Sequence, residues 1–177
     1  MTRHLTAVLL LGSAIAFAAV QREGDANVVF KGKGPAGFRL EGKTSQIDIS
    51  ETADAFVFSV SLETVKTGIG LRDRHMREKF LETSKYPNAE LRLPKSALTL
   101  PEAGKSSEGT ATGSFTVHGQ TQSVQVRFRV TNSNGRYGGQ GTFPIDIRKH
   151  GISIPSYLGV TVKPDMEVAA SLNFTRQ

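Results

Sequence analysis

The densest chemistry in the chain lies at Leu71-Arg72-Asp73-Arg74-His75-Met76-Arg77-Glu78-Lys79-Phe80, where six charged side chains and a histidine share ten residues. A cluster of this kind can bind an anion, move protons, or form the wet side of a short helix. Helical spacing puts Asp73 beside Arg77 and Arg74 beside Glu78, four residues apart, where opposite charges are neighbours. The same spacing gathers Leu71, Met76 and Phe80 near one side. The segment therefore reads as a self-paired helix near residues 71–82, with Asp73 equally suited to a helix N-terminus. Tyr86-Pro87 ends it, because the residue before proline avoids helical backbone.

Other reactive groupings are sparse. His75, His118 and His150 show no metal-ligand spacing, and the chain has no cysteine, so neither a metal site nor thiol chemistry is expected. There is no G-x-S-x-G elbow and no S-x-x-K, and no catalytic residue or cofactor is implied. Asp146 and Glu167 take the polar phase of their segments, where carboxylates stay ionised. Gly32-Lys33-Gly34-Pro35-Ala36-Gly37 fits G-x-G-x-x-G in letters only. A dinucleotide site needs a helix after it, whereas Phe38-Arg39-Leu40 resumes a strand pattern. Arg127 and Arg129 point away from Phe128, so no base-stacking platform forms and nucleic acid is not an expected partner.

What must position these residues is β-structure. Apolar residues alternate with polar ones at Phe56, Phe58, Val60 and Leu62, at Val124, Val126, Phe128 and Val130, and from Met166 to Phe174. Period-two alternation gives each strand one wet and one buried face, as in antiparallel sheets. Weaker strands are expected at Val28–Phe30, Phe38–Leu40, Gln46–Ile49, Ala89–Leu93 and Gly113–Val117. Turn-forming clusters separate them, and Asn134-Gly135 suits a tight hairpin. About eight one-faced strands bury their apolar faces by closing into a barrel, with a two-sheet sandwich as the alternative.

The first 19 residues read as a signal peptide: a short basic start, the apolar run Leu5–Ala18, and Ala16-Phe17-Ala18 for cleavage. The run is short of the roughly 20 residues of a membrane span, so no stable span is expected after cleavage. Removing Arg3 lowers the formal charge from +6 to +5. The domain is taken as residues 26–177, periplasmic or secreted, with oligomeric state left open.

An eight-stranded barrel either fills with its own side chains or holds one small ligand. The inward phase (Phe56, Phe58, Val60, Leu91, Leu93, Phe115, Val117, Val126, Phe128, Val168 and Leu172) is apolar and without a catalytic pair, which favours an apolar guest. A register slip of one residue would turn a whole strand's set outward.

Two stretches carry a resemblance. Gly70-Leu71-Arg72-Asp73-Arg74-His75-Met76 with Lys79-Phe80-Leu81 and Lys85-Tyr86-Pro87, and then Gly113-Ser114-Phe115-Thr116-Val117-His118-Gly119-Gln120-Thr121, resemble the motifs of the YceI-like family of polyisoprenoid-binding, often periplasmic proteins. The resemblance implies an antiparallel eight-stranded lipocalin-like barrel holding a long isoprenoid or quinone-like lipid, with the helical segment beside the cavity. It marks Arg72, Asp73 and His75, as ligand contacts or as braces, and Arg72 or Arg74 near a barrel mouth would suit a pyrophosphate or carboxylate head group. Two departures stand out. Val28–Gly37 is short and glycine-rich where the family has a longer first hairpin, and His150 replaces a usual Phe or Tyr. The alternatives are a solid barrel acting through its surface and a lipid-ester hydrolase.

Overall fold

The computed structural model describes residues 20–157 and 160–177; the expected signal peptide lies outside them. The alternation noted above becomes a strongly bent antiparallel sheet. Its strands are β1 (Val20–Lys33), β2 (Arg39–Thr44), β3 (Ile47–Glu51), β4 (Ala55–Ser61), β5 (Asn88–Pro94), β6 (Ser106–Val117), β7 (Gln120–Ser133), β8 (Arg136–Asp146) and β11 (Asp165–Arg176). They are ordered β2-β1-β11-β8-β7-β6-β5-β4-β3. A two-stranded hairpin, β9 (Ser156–Tyr157) and β10 (Val160–Thr161), stands apart. The result is a nearly closed barrel rather than a sandwich.

Nine strands replace the expected eight because one stave is broken. The backbone N–H of Gln46 donates to the Thr44 hydroxyl at 3.0 Å, and buried Thr44 also meets Thr64 at 2.6 Å. Such a side-chain turn interrupts the ladder. Before the break β2 pairs with β1, and after it β3 pairs with β4. The first strand is also longer than expected. Instead of a short start at Val28, β1 pairs with β11 from Val20, crossing an irregularity between Glu23 and Ala26. Ordered structure thus begins before residue 26.

The helical segment runs as α1 (Gly70–His75) and then a wider π-helical turn (Met76–Phe80). Self-pairing does not hold it. Asp73 is buried and accepts the Thr67 backbone N–H at 2.7 Å as well as the Thr67 hydroxyl. Arg77 reaches Glu63 at 3.1 Å instead of Asp73. Among the described residues no ion pair joins Arg74 to Glu78. Tertiary partners outcompete i,i+4 neighbours because an exposed pair of that kind is worth only about 0.3–0.5 kcal/mol.

Two hairpins show what the turns require. Asn134 and Gly135 both have positive φ (53° and 89°), as expected for the β7–β8 tip. His118 and Gly119 do the same between β6 and β7, with φ of 53° and 71°. At Gly119 a Cβ would lie 2.6 Å from the Tyr86 ring, so the turn and its neighbour both demand glycine.

Candidate functional site

The barrel interior divides into two spaces. Towards the middle is a gap of about 80 Å3 lined chiefly by apolar-phase strand residues, among them Phe56, Phe58, Val60, Leu91, Leu93, Val126, Phe128, Val168 and Leu172. At one end is a chamber of about 630 Å3, within the roughly 300–1,000 Å3 of small-molecule sites. This is the end where β1, β6 and β8 finish and β2 and β11 begin. Its wall is made by Phe30, Leu40, Val117, Ile145 and Met166 of the strands, by Leu62, Val65, Thr67 and Ile69, by the α1 segment, and by Ile152, Pro155, Val160 and Val162. Phe30 and Phe115 line both spaces and form the partition. Phe115 is held edge-on by Phe143 at 5.1 Å and by the His150 ring at 5.6 Å.

The residues singled out from sequence therefore fall into two groups. Ten of the strand positions face the inner gap, Phe115 facing both spaces, while Val117, Arg72 and His75 face the chamber. The larger share of the chamber was not legible. Ile69, Ile152 and Val162 come from loops with no periodic signal, and Phe30, Phe38 and Leu40 belong to weak strands whose inward side the sequence did not assign, although the apolar helix side (Leu71, Met76, Phe80) was visible.

The charged cluster has a split role. Arg72 donates through Nε to the Thr67 hydroxyl and through a terminal nitrogen to the Thr67 carbonyl, both at 2.7 Å. With Asp73 it fixes the loop that precedes the helix. Burial pushes the Asp73 carboxyl up, but the Thr67 hydrogen bonds and the Arg77 and Arg72 charges outweigh this and hold it below the usual value. That loop is in turn bridged to β2, Lys43 and Lys66 exchanging backbone hydrogen bonds of 2.8 and 2.9 Å. Arg72 nevertheless lines the chamber with His75 and Lys79, giving an apolar wall one basic side, whereas exposed Arg74 is not part of it.

The other two histidines lie at the same end, His118 next in sequence to the lining residue Val117 and His150 close to Ile147 and Ile152. The His118 ring faces two acceptors, the Glu82 carboxylate at 2.8 Å and the His150 carbonyl at 3.1 Å, and lies 4.7 Å from the Tyr86 ring. This clamp joins the end of the helical segment to the β6–β7 turn, so the two sequence stretches quoted above meet in space. His150 is 1% exposed; its Nδ1–H donates to the Gln120 carbonyl at 2.9 Å. Burial pushes its pKa below the ordinary value, more than that hydrogen bond raises it. Burial thus favours the neutral form of the ring that packs edge-on against Phe115. Among the described residues no group of three His, Cys, Asp or Glu side chains is placed to hold a metal ion.

Comparison with known proteins agrees with this architecture. The pattern of the YceI-like domain matches residues 21–174. No curated protein matches the chain by sequence. The fold is similar to a polyisoprenoid-binding domain from Saccharophagus degradans implicated in plant cell wall breakdown, with a TM-score of 0.75, 15% identity, and coverage of 91% of this chain and 100% of that one. It is similar to Burkholderia cenocepacia BcnA at a TM-score of 0.67 and 15% identity, covering 84% and 95%. Campylobacter jejuni YceI protein aligns over 100% and 99% at a TM-score of 0.53 and 11% identity. At such identities the likeness speaks to fold.

Proposed function

The chain belongs to the YceI-like family, and from that premise we propose that it carries an isoprenoid or quinone-like lipid in the 630 Å3 chamber without changing it chemically. The observation that carries this reading is the chamber itself: an apolar space at one end of a barrel whose middle is nearly filled. At roughly 30 Å3 per water-sized group, it accommodates about 20 such groups, a chain of about four isoprene units. Each Å2 of apolar surface removed from water adds about 25 cal/mol, enough for such a chain to be retained. The tail stops at Phe30 and Phe115. Arg72, His75 and Lys79 supply the only basic side of the chamber among the described residues, and an anionic head group such as a pyrophosphate or carboxylate rests there.

We place the protein outside the cytoplasm, periplasmic or secreted. The absence of cysteine is neutral on this point; support comes from the sequence of residues 1–19, a short basic start followed by an apolar run and Ala16-Phe17-Ala18.

Native mass spectrometry of the purified protein tests the reading, followed by solvent extraction of what it holds. A stoichiometric mass increment that extracts as an isoprenoid or quinone is expected. A bare mass that stays bare after incubation with isoprenyl alcohols and pyrophosphates would overturn it in favour of a barrel acting through its surface. Turnover of lipid esters, lost on His75→Ala, would instead point to a hydrolase.

A further inference from the structure

Ile69 and Leu71 are 54% and 50% exposed and Ile154 is 37% exposed, the large apolar side chains most open to water among the described residues. Apolar residues scattered singly over a surface need no explanation. These three are not scattered. Ile69 and Leu71 stand on the chamber's own wall, and Ile154 immediately precedes Pro155, which lines it as well. Residues 66–79 around them contain five basic side chains (Lys66, Arg72, Arg74, Arg77, Lys79) against Asp73 and Glu78. Asp73 is buried against Thr67, so it contributes little negative charge at the surface, while Lys66, Arg74 and Lys79 are exposed.

Apolar tips inside a basic collar fit one kind of surface. The boundary between head groups and acyl chains accepts Ile and Leu side chains, and anionic phosphates attract Lys and Arg, each worth roughly a fivefold gain in partitioning. The formal net charge, +6 for the full chain and +5 without Arg3, favours the same approach. We propose that the mouth of the barrel docks on an anionic phospholipid bilayer, with Ile69, Leu71 and Ile154 entering the head-group layer, so that the chamber opens directly onto the membrane. This extends the carrier reading, but docking does not require the chamber to be occupied, and the two are tested separately.

The test is flotation of the purified protein with vesicles of phosphatidylethanolamine and phosphatidylglycerol, and with vesicles of phosphatidylcholine alone, at low and high salt. Anionic vesicles are expected to retain the protein at low salt and release it at high salt. Ile69→Ser with Leu71→Ser is expected to lower retention at least about tenfold. Ile154→Ser with Lys66→Gln and Arg74→Gln does the same without touching a chamber-lining residue, and thermal melts confirm that both variants are folded. Equal retention by the two vesicle types, or variants that bind like the parent, overturns the proposal. So does a parent that ignores vesicles but forms a dimer which the Ile69/Leu71 variant dissolves, since the patch would then join two copies of this chain. Uptake of an isoprenyl alcohol from vesicle-free solution reads the chamber independently. Uptake that fails while vesicle retention persists sinks the carrier reading and leaves docking in place.

Discussion

The two ends of the barrel are built in opposite ways. At the end away from the chamber, residues 95–105 fold over the opening, Leu98 is buried, and Asn132 ties the cover down by donating to the Pro101 carbonyl at 2.9 Å. Glu51 pins three elements there. Its carboxylate, 5% exposed, meets Lys95 at 2.6 Å and Arg176 at 2.7 Å. Tyr137 stacks on Phe174 at 5.1 Å. At the chamber end the cover is a short helix and loops, fixed along one margin by Thr67 and along the other by the Glu82–His118 clamp, with apolar side chains left facing water. A barrel that only needed stability would close both ends alike. On the carrier reading, the loosely filled end is the one that receives the guest, and the tightly packed end is the one that holds the barrel together.

Phe115 sits between the two regimes, so Phe115→Ala gives the largest expected effect. Loss of a buried phenylalanine costs about 3–5 kcal/mol and joins the chamber to the inner gap. Chemical denaturation should show the loss, and native mass spectrometry should show longer isoprenoids bound. Destabilisation with an unchanged length limit would mean that Phe115 is not the partition.

Glu51→Gln addresses the closed end alone. Lys95 and Arg176 are partly exposed, which discounts the penalty of a broken buried pair to about 1–2 kcal/mol. Melting temperature should fall while lipid retention stays the same. A matching loss of lipid would show that the ends are coupled rather than independent.

The smallest effect is a difference in acid sensitivity. His150, at the chamber end, has its pKa held below the ordinary 6.5 by burial, so the unfolded chain binds the proton more readily than the folded one. Its contribution to stability is present above pH 6.5 and is lost as pH falls below it. At Glu51 burial pushes the carboxyl up, but hydrogen bonds from Lys95 and Arg176 outweigh it and hold the pKa below the ordinary 4.5, so its contribution survives until pH falls below that value. Asp146, held down to about 2 by Arg148, loses its contribution later still. Stability measured against pH should therefore begin to decline below 6.5, and His150→Phe should remove that first decline. A curve flat from pH 6.5 to 4.5 in the parent would contradict the assignment.

Some of this was readable from local pattern. Val124, Val126, Phe128 and Val130 alternate strictly, and an alternating strand can bury only one face, so their inward direction followed without any coordinates. The Asn134-Gly135 turn was legible for a similar reason: its backbone demands residues that tolerate positive φ. The charged segment was harder. Its helix-like spacing was plain, but Asp73 and Arg77 chose Thr67 and Glu63, partners set by how a loop folds back rather than by spacing.

By itself, then, the sequence determined antiparallel strands with one apolar face each, because period-two burial is a property of each strand alone, and it left barrel and sandwich both open. It also carried the two motif stretches that mark the family. Only tertiary structure decided that the interior is partitioned at Phe30 and Phe115 and that the space lies at one end. The same holds for the broken stave at Ser45-Gln46 and for His118 bridging Glu82 to the His150 carbonyl. Those depend on where strand ends and loops come to rest, and contacts between residues 20 to 36 positions apart leave no period in the chain.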